Sequence, residues 1–337
     1  MNERIEKLLQ KTLSGEMYVY PVKTEYDRCD LFLSPIKMSC KRVCEYIRNQ
    51  EPLITDESCL TGLIHFDNSV EGNVFERNGH KNFSIAFENF YNKPVDNLLT
   101  FEWQHSAGDF GKIINNGIIG IKDNIKKSME RHKGDADAIE FLETQSDICD
   151  SVIAWAEKCS KKAVMISKSV SDAGCKKNLE RLSASLKTVP KNPASSFYEA
   201  ILSLCVCFGL LPDSLGLIDR YLYPFYKQDI ENGVLTKKEA SEYLQELFLM
   251  IQGWTHISST NFHRGGESHF CVGGYLENGE DGFNELSRLI VDSLMELPTW
   301  ILQISLRWTP KTPHEVLYYM MDCERRDSNK RIAFVND

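Results

Sequence analysis

Trp300-Ile301-Leu302-Gln303-Ile304-Ser305-Leu306-Arg307-Trp308 is the stretch that decides the architecture. Trp300, Leu302, Ile304, Leu306 and Trp308 are large and apolar, while Gln303, Ser305 and Arg307 interrupt the positions between them. Successive side chains of a strand point to opposite faces, so the alternation predicts a strand with two unlike faces. The apolar set faces covering helices, and Ile301, Gln303, Ser305 and Arg307 turn toward a polar interior. A sheet with one solvated face fits the same alternation, and the spacing leaves both readings open.

Helical patterns flank this strand on both sides. Downstream, Thr312-Pro313 with Glu315 reads as a capping box ahead of Val316, Leu317, Met320 and Met321. Upstream, Thr236 with Glu239 has the same form, and Ala240, Tyr243, Leu244, Leu247, Phe248 and Ile251 line one helical face. Asn192-Pro193 reads as an N-cap followed by proline at the first helical position. The run it opens, Phe197 to Phe208, is apolar nearly all round and so belongs to a buried helix. From Asp135 onward, Ala138, Leu142, Ile148, Val152, Ala156, Cys159 and Ala163 recur every three to four residues. Residues 112–210 are thus helical, and residues 218–330 alternate helix and strand. Residues 1–100 are mixed, with turn signals such as Asn78-Gly79. The expectation is an α/β fold with a helix-rich N-terminal half, forming a single domain over residues 1–337.

Bulk composition narrows the function. The 337 residues are 42% hydrophobic and 26% charged, with a net charge of −9. That balance disfavours nucleic acid and anionic membranes as partners. Met1 to Lys11 lacks the apolar run of a signal peptide, and no stretch is long and apolar enough to span a bilayer. A cytoplasmic location is the expectation. Eleven cysteines are scattered without a Cys-x-x-Cys, with Cys40/Cys44 and Cys205/Cys207 the close pairs. Such thiols are expected to act as small buried hydrophobes.

Several blocks resemble glycyl-radical enzymes of the pyruvate formate-lyase type. Val189-Pro190-x-Asn192-Pro193-Ala194-x-x-Phe197-Tyr198-Glu199-Ala200 is similar to that family's V-P-x-N-P-A block. Gly216-Leu217-Ile218-Asp219-Arg220-Tyr221-Leu222-Tyr223-Pro224-Phe225-Tyr226 resembles its G-R-x-D-Q-Y-L-Y-P-F-Y block, with Leu217 in place of the usual arginine. Asp229 to Thr236, Gly273-Gly274 with Asn278 to Ser287, and Ala333-Phe334-x-Asn336-Asp337 follow in the family's order. Looser similarity extends upstream through Gln50 to Glu57 and Gln104 to Gly117.

The resemblance implies a ten-stranded α/β barrel wrapped by helices, here incomplete. It also implies radical lyase or dehydratase chemistry on a small polar metabolite. In the family a thiyl cysteine follows the F-x-N-D element and a radical glycine lies in a later R-V-x-G-Y block. An activating enzyme that uses S-adenosylmethionine and an iron–sulfur cluster installs the radical. This sequence stops at Asp337, so the expectation is an N-terminal portion without either residue, binding no cofactor itself and inactive alone. A degenerate or non-catalytic paralogue, or one half of a two-chain enzyme, is the alternative. Partners are then a small-molecule substrate, a complementary C-terminal chain, an activating enzyme or a second copy. Cys271-Val272-Gly273-Gly274-Tyr275 imitates the radical block but lacks its arginine and coincides with the family's G-G strand.

Substrate-pocket candidates follow from the resemblance. His105, Ser106 and Asp109 lie in the block that tends to supply polar contacts, although a structural histidine and a helix cap fit His105 and Asp109 equally. Asp213 and Ser214 stand where diol-dehydrating relatives carry G-H-S, a departure that argues against a glycerol- or choline-type pocket. A rival reading, a metal-dependent hydrolase, draws on His256, His263 and His269 with Cys271, whose spacing fits no familiar zinc site.

Overall fold

The computed structural model describes residues 1–18, 28–64, 107–210, 214–254 and 268–337. Helices dominate the first half: α1 (Glu3–Leu13), α2 (Pro35–Asn49), α3 (Phe110–Arg131), α4 (Ala136–Ser167), α5 (Ala173–Leu186) and α6 (Phe197–Phe208). Beyond them the chain alternates: β1 (Ser214–Leu217), α7 (Ile218–Glu231), α8 (Lys237–Trp254), β2 (Ser268–Gly273), α9 (Glu285–Met295), β3 (Leu302–Trp308), α10 (His314–Arg326) and β4 (Ile332–Asn336). The strands form one sheet in the order β1-β2-β3-β4, every pair parallel. Helices in the connections are what parallel pairing requires.

Local chemistry accounts for most of these boundaries. Asp135 caps α4 by accepting the Ala138 amide at 3.0 Å, as its position before the apolar rhythm implies. Thr236 and Glu239 cap α8 reciprocally, at 3.2 Å and 2.9 Å. Every apolar residue of α6 is buried, so the helix is enclosed on all sides as expected.

Two helix starts differ from expectation. Helix α6 begins at Phe197 rather than Pro193, because Ser196 accepts the Glu199 amide at 3.2 Å. The Pro190–Ala194 segment is used otherwise: its carbonyls accept from Ile118 and Ile119, and the Ala194 amide donates to Ile114. Gly117 allows this docking. It breaks α3 at φ 64°, and a Cβ there would lie 2.5 Å from the Asn192 carbonyl carbon. Thr312 does not cap α10. Its hydroxyl accepts the Thr309 amide at 2.9 Å and donates to Asp281, leaving the Pro313 carbonyl to begin the helix. Val316 and Met320 of α10 are buried, but Met321 is exposed.

Strand β3 has the two faces its sequence encodes. Leu302, Ile304 and Leu306 are fully buried, as are Phe270 and Val272 of β2 beside them. Phe270 stacks on Phe248 of α8 with centroids 5.7 Å apart, so this face meets the helices. Gln252 of α8 accepts the Trp300 and Ile301 amides at 2.8 Å and 3.2 Å, fixing the entry to β3. Ile301 precedes the strand and is buried rather than facing a polar interior. One buried apolar cluster runs from Ile5 to Ile332 and unites the helical half with the sheet.

Candidate functional site

The second face of the sheet gathers polar side chains. Parallel register sets Ser214 beside His269, His269 beside Gln303, Cys271 beside Ser305, and Gly273 beside Arg307. His269 Nε2 and Ser305 Oγ lie 2.7 Å apart across the β2–β3 pair. His269, Cys271, Gln303 and Arg307 are half-buried, in contrast to the closed helix-facing set. Burial raises the Cys271 thiol, partly opposed by the Arg307 charge.

At the sheet's β1 edge, Ala107 pairs with Ser214 in a parallel bridge, bringing the start of α3 alongside the strand. Ser214 Oγ accepts the Gly216 amide at 3.0 Å. Asp109 is exposed and caps α3, its Oδ1 accepting the Lys112 amide at 3.0 Å. The structure thus brings Ser214 and the Asp109 segment to one edge of the polar face. His105, Ser106 and Asp213 lie outside the described residues, as do His256 and His263. No group of three or more His, Cys, Asp or Glu side chains able to hold a metal ion occurs among the described residues.

A buried charge cluster closes the C-terminal end of the sheet. Asp219, at the start of α7, is fully buried, and its Oδ2 accepts the Gly273 amide at 2.8 Å and the Ser287 hydroxyl at 2.6 Å. Burial pushes its carboxyl up to about 6, against the opposing effects of Ser287, Gly273 and Arg220. Among the described residues its Oδ1 has no hydrogen-bond partner, and Arg220 Nε stands 4.0 Å away. Arg220 instead donates Nη2 to the carbonyls of Gly273 and Gly274, at 2.7 Å and 2.8 Å. Gly274 has φ 83°, and a Cβ on it would lie 2.6 Å from Asp337 Oδ2. That same oxygen accepts the Tyr275 amide at 2.6 Å, and Asp337 Oδ1 pairs with Arg307. The Tyr275 amide and then Arg307 hold the Asp337 carboxyl below the usual carboxylate range. The Cys271–Tyr275 string is therefore the end of β2 and the turn it enters.

Sequence reasoning assigned no role to Asp219, Arg220, Ser287 or Asp337. Asp219 lies 54 and 68 positions from the groups it binds, so local pattern carries no trace of the pairing.

The sheet is backed by helices on one face and polar on the other, an α/β arrangement. Residues 96–337 match the family described as Pyruvate formate lyase-like, and the chain belongs to it. Isethionate sulfite-lyase of Bilophila wadsworthia is 27% identical over 239 residues, covering 65% of this chain and 28% of that protein. Trans-4-hydroxy-L-proline dehydratase of Clostridioides difficile is 24% identical over 304 residues, 78% of this chain and 38% of that protein. The crystal structure of hydroxyproline dehydratase from the same organism superposes with a TM-score of 0.75 at 20% identity, over 100% of this chain and 51% of that one. A structure from work on 1,2-propanediol dehydration in Roseburia inulinivorans gives a TM-score of 0.77 at 19% identity, over 96% and 47%. The chain therefore spans well under half the length of these curated relatives and about half of the solved chains. Its sheet and helices are part of a glycyl-radical-enzyme barrel, and its relatives by sequence are lyases and dehydratases of small polar metabolites. Among the described residues no helix is long and apolar enough to cross a membrane.

Proposed function

We propose that these residues form, as one domain, the substrate-orienting wall of a glycyl-radical lyase or dehydratase acting on a small polar metabolite. The observation that carries this reading is the polar sheet face: Ser214, His269, Gln303 and Ser305 lie in register on the side opposite the helices. These groups donate and accept hydrogen bonds without a fixed charge, and Arg307 is already matched by Asp337. Such a face suits a neutral or zwitterionic substrate bearing hydroxyl or amino groups. In this reading His105, Ser106, Asp109, Asp213 and Ser214 complete the pocket.

The wall binds and orients the substrate and keeps bulk water from it. The glycyl radical, installed by an activating enzyme that uses S-adenosylmethionine and an iron–sulfur cluster, would supply hydrogen-atom abstraction. A complementary C-terminal segment, whether on this chain or a second one, carries the thiyl cysteine and the radical glycine. The Cys271–Gly274 turn, wedged against Asp337 and Arg307, does not. Electron paramagnetic resonance tests this division. The 337-residue chain incubated anaerobically with a family activating enzyme should show no glycyl doublet, and a doublet should emerge once a complementary segment is supplied. A doublet from the 337 residues alone would refute the reading.

A further inference from the structure

None of the eleven cysteines is joined in a disulfide, and two of them are placed to be. Cys40 and Cys44 sit one turn apart on α2, with their Sγ atoms 3.8 Å from each other. Both face α4, where Cys40 donates to the Thr144 carbonyl at 3.3 Å. The pair borders a cavity of about 530 Å³ whose walls carry both charges, Lys37, Lys41 and Arg48 with Glu143 and Asp147. Cys205 and Cys207 offer a contrast within the same molecule. They are two positions apart on α6, fully enclosed, and Cys205 is engaged with the Thr61 carbonyl at 3.0 Å. Among the described residues the α2 pair joins sulfur–sulfur contact to a bordering cavity.

We propose that Cys40 and Cys44 form a reversible dithiol–disulfide switch whose electron acceptor is a low-molecular-weight disulfide such as oxidised glutathione. Cys44 attacks the incoming disulfide as its thiolate, forming a protein–glutathione sulfur bond and releasing one glutathione thiolate. Cys40 then attacks the Cys44 sulfur, closing the Cys40–Cys44 bond and releasing the second. The protein loses two electrons, the reagent gains them, and the two thiol protons leave on the two released thiols. The order of attack follows from the surroundings. Cys40 is held as a thiol by its hydrogen bond to the Thr144 carbonyl, and burial together with its neighbour Cys44 pushes it up. Cys40 therefore does not lead the attack, and its own step onto the Cys44 sulfur is helped by the contact already present.

Closure has a structural consequence. Residues four apart on a helix have Cβ atoms about 5–6 Å apart. A disulfide brings them to about 3.8 Å. The turn of α2 from Cys40 to Cys44 must contract, drawing Cys40 off the Thr144 carbonyl and loosening α2 from α4.

The test is peptide mapping of the full chain after native incubation with oxidised glutathione and alkylation of the remaining thiols. The expected result is a Cys40–Cys44 link, dissolved by dithiothreitol, with a thermal midpoint that falls on oxidation and recovers on reduction. Cys40→Ser should accumulate glutathione on Cys44 because the resolving thiol is gone. Two outcomes overturn the proposal: both thiols remaining alkylatable, or wild-type Cys44 stopping at a stable mixed disulfide. The wild-type map decides the matter even if the variant fails to fold.

Discussion

Two buried carboxylates, one in the helical half and one at the end of the sheet, are treated in opposite ways. Glu246 of α8 is fully enclosed and fully occupied: Oε1 accepts the Cys59 and Leu60 amides at 2.8 Å and 2.7 Å, and Oε2 pairs with Arg4. It ties α1, the 51–64 segment and α8 into one unit. Asp219 is just as enclosed, yet among the described residues one of its oxygens is unmatched and Arg220 beside it donates to backbone carbonyls instead. Buried ionised groups are tolerated when every lone pair is answered and become costly when one is not. The Glu246 carboxylate is thus a structural tie. The sheet end keeps a strained charge beside the polar face.

The largest expected effect breaks the first member of this pair. Glu246→Ala strands two buried amides and takes from Arg4 its closest carboxylate, leaving it the Glu57 carbonyl and the more distant Glu242, which should cost about 3–5 kcal/mol. Urea unfolding of the full chain measures it, and a loss below about 1 kcal/mol would mean that the network is not the staple it resembles. Glu246→Gln, which keeps acceptors for Cys59 and Leu60, should recover part of the loss.

The second prediction concerns the sign of the pH dependence at Asp219. Its folded carboxyl lies at about 6, above the ordinary 3.8, so the folded state holds its proton more tightly than the unfolded chain does. Stability from this group is therefore present below about pH 4 and declines as pH rises to about 6, by roughly 3 kcal/mol in total. Asp219→Asn keeps the shape and removes the charge, so its unfolding free energy should lack that decline. Near neutral pH the variant should equal or exceed the wild type in stability. Parallel pH–stability curves for the two proteins would show that the carboxylate does not titrate in this window.

What the sequence makes legible follows the range of the interactions. The β3 alternation, the enclosure of α6 and the cap of α8 are written within a few residues, and each is found in place. Thr236 and Thr312 carry the same local signal, but Asp281 reaches in from 31 positions away and claims the second hydroxyl. Asn192-Pro193 is likewise taken up by α3, and Ser196 with Glu199 was the better start signal. The Asp219 cluster and the His269–Ser305 pair depend on strand register and on helices meeting a strand end, which no local window contains. The family blocks carry none of these contacts.

The smallest expected effect sharpens the border between the two halves, where Asp109 caps α3 beside Ser214. Loss of an N-cap acceptor costs about 1 kcal/mol, and asparagine caps about as well as aspartate. Asp109→Ala should therefore lower stability by about that amount, while Asp109→Asn should leave it unchanged. The two substitutions separate the capping role from the pocket role, because only the second requires the negative charge. If Asp109 serves the fold alone, the asparagine variant will match the wild type in every assay of a reconstituted enzyme. If it contacts substrate as a carboxylate, that variant will fold normally and lose activity, which places the reach of the polar face beyond β1 and onto α3.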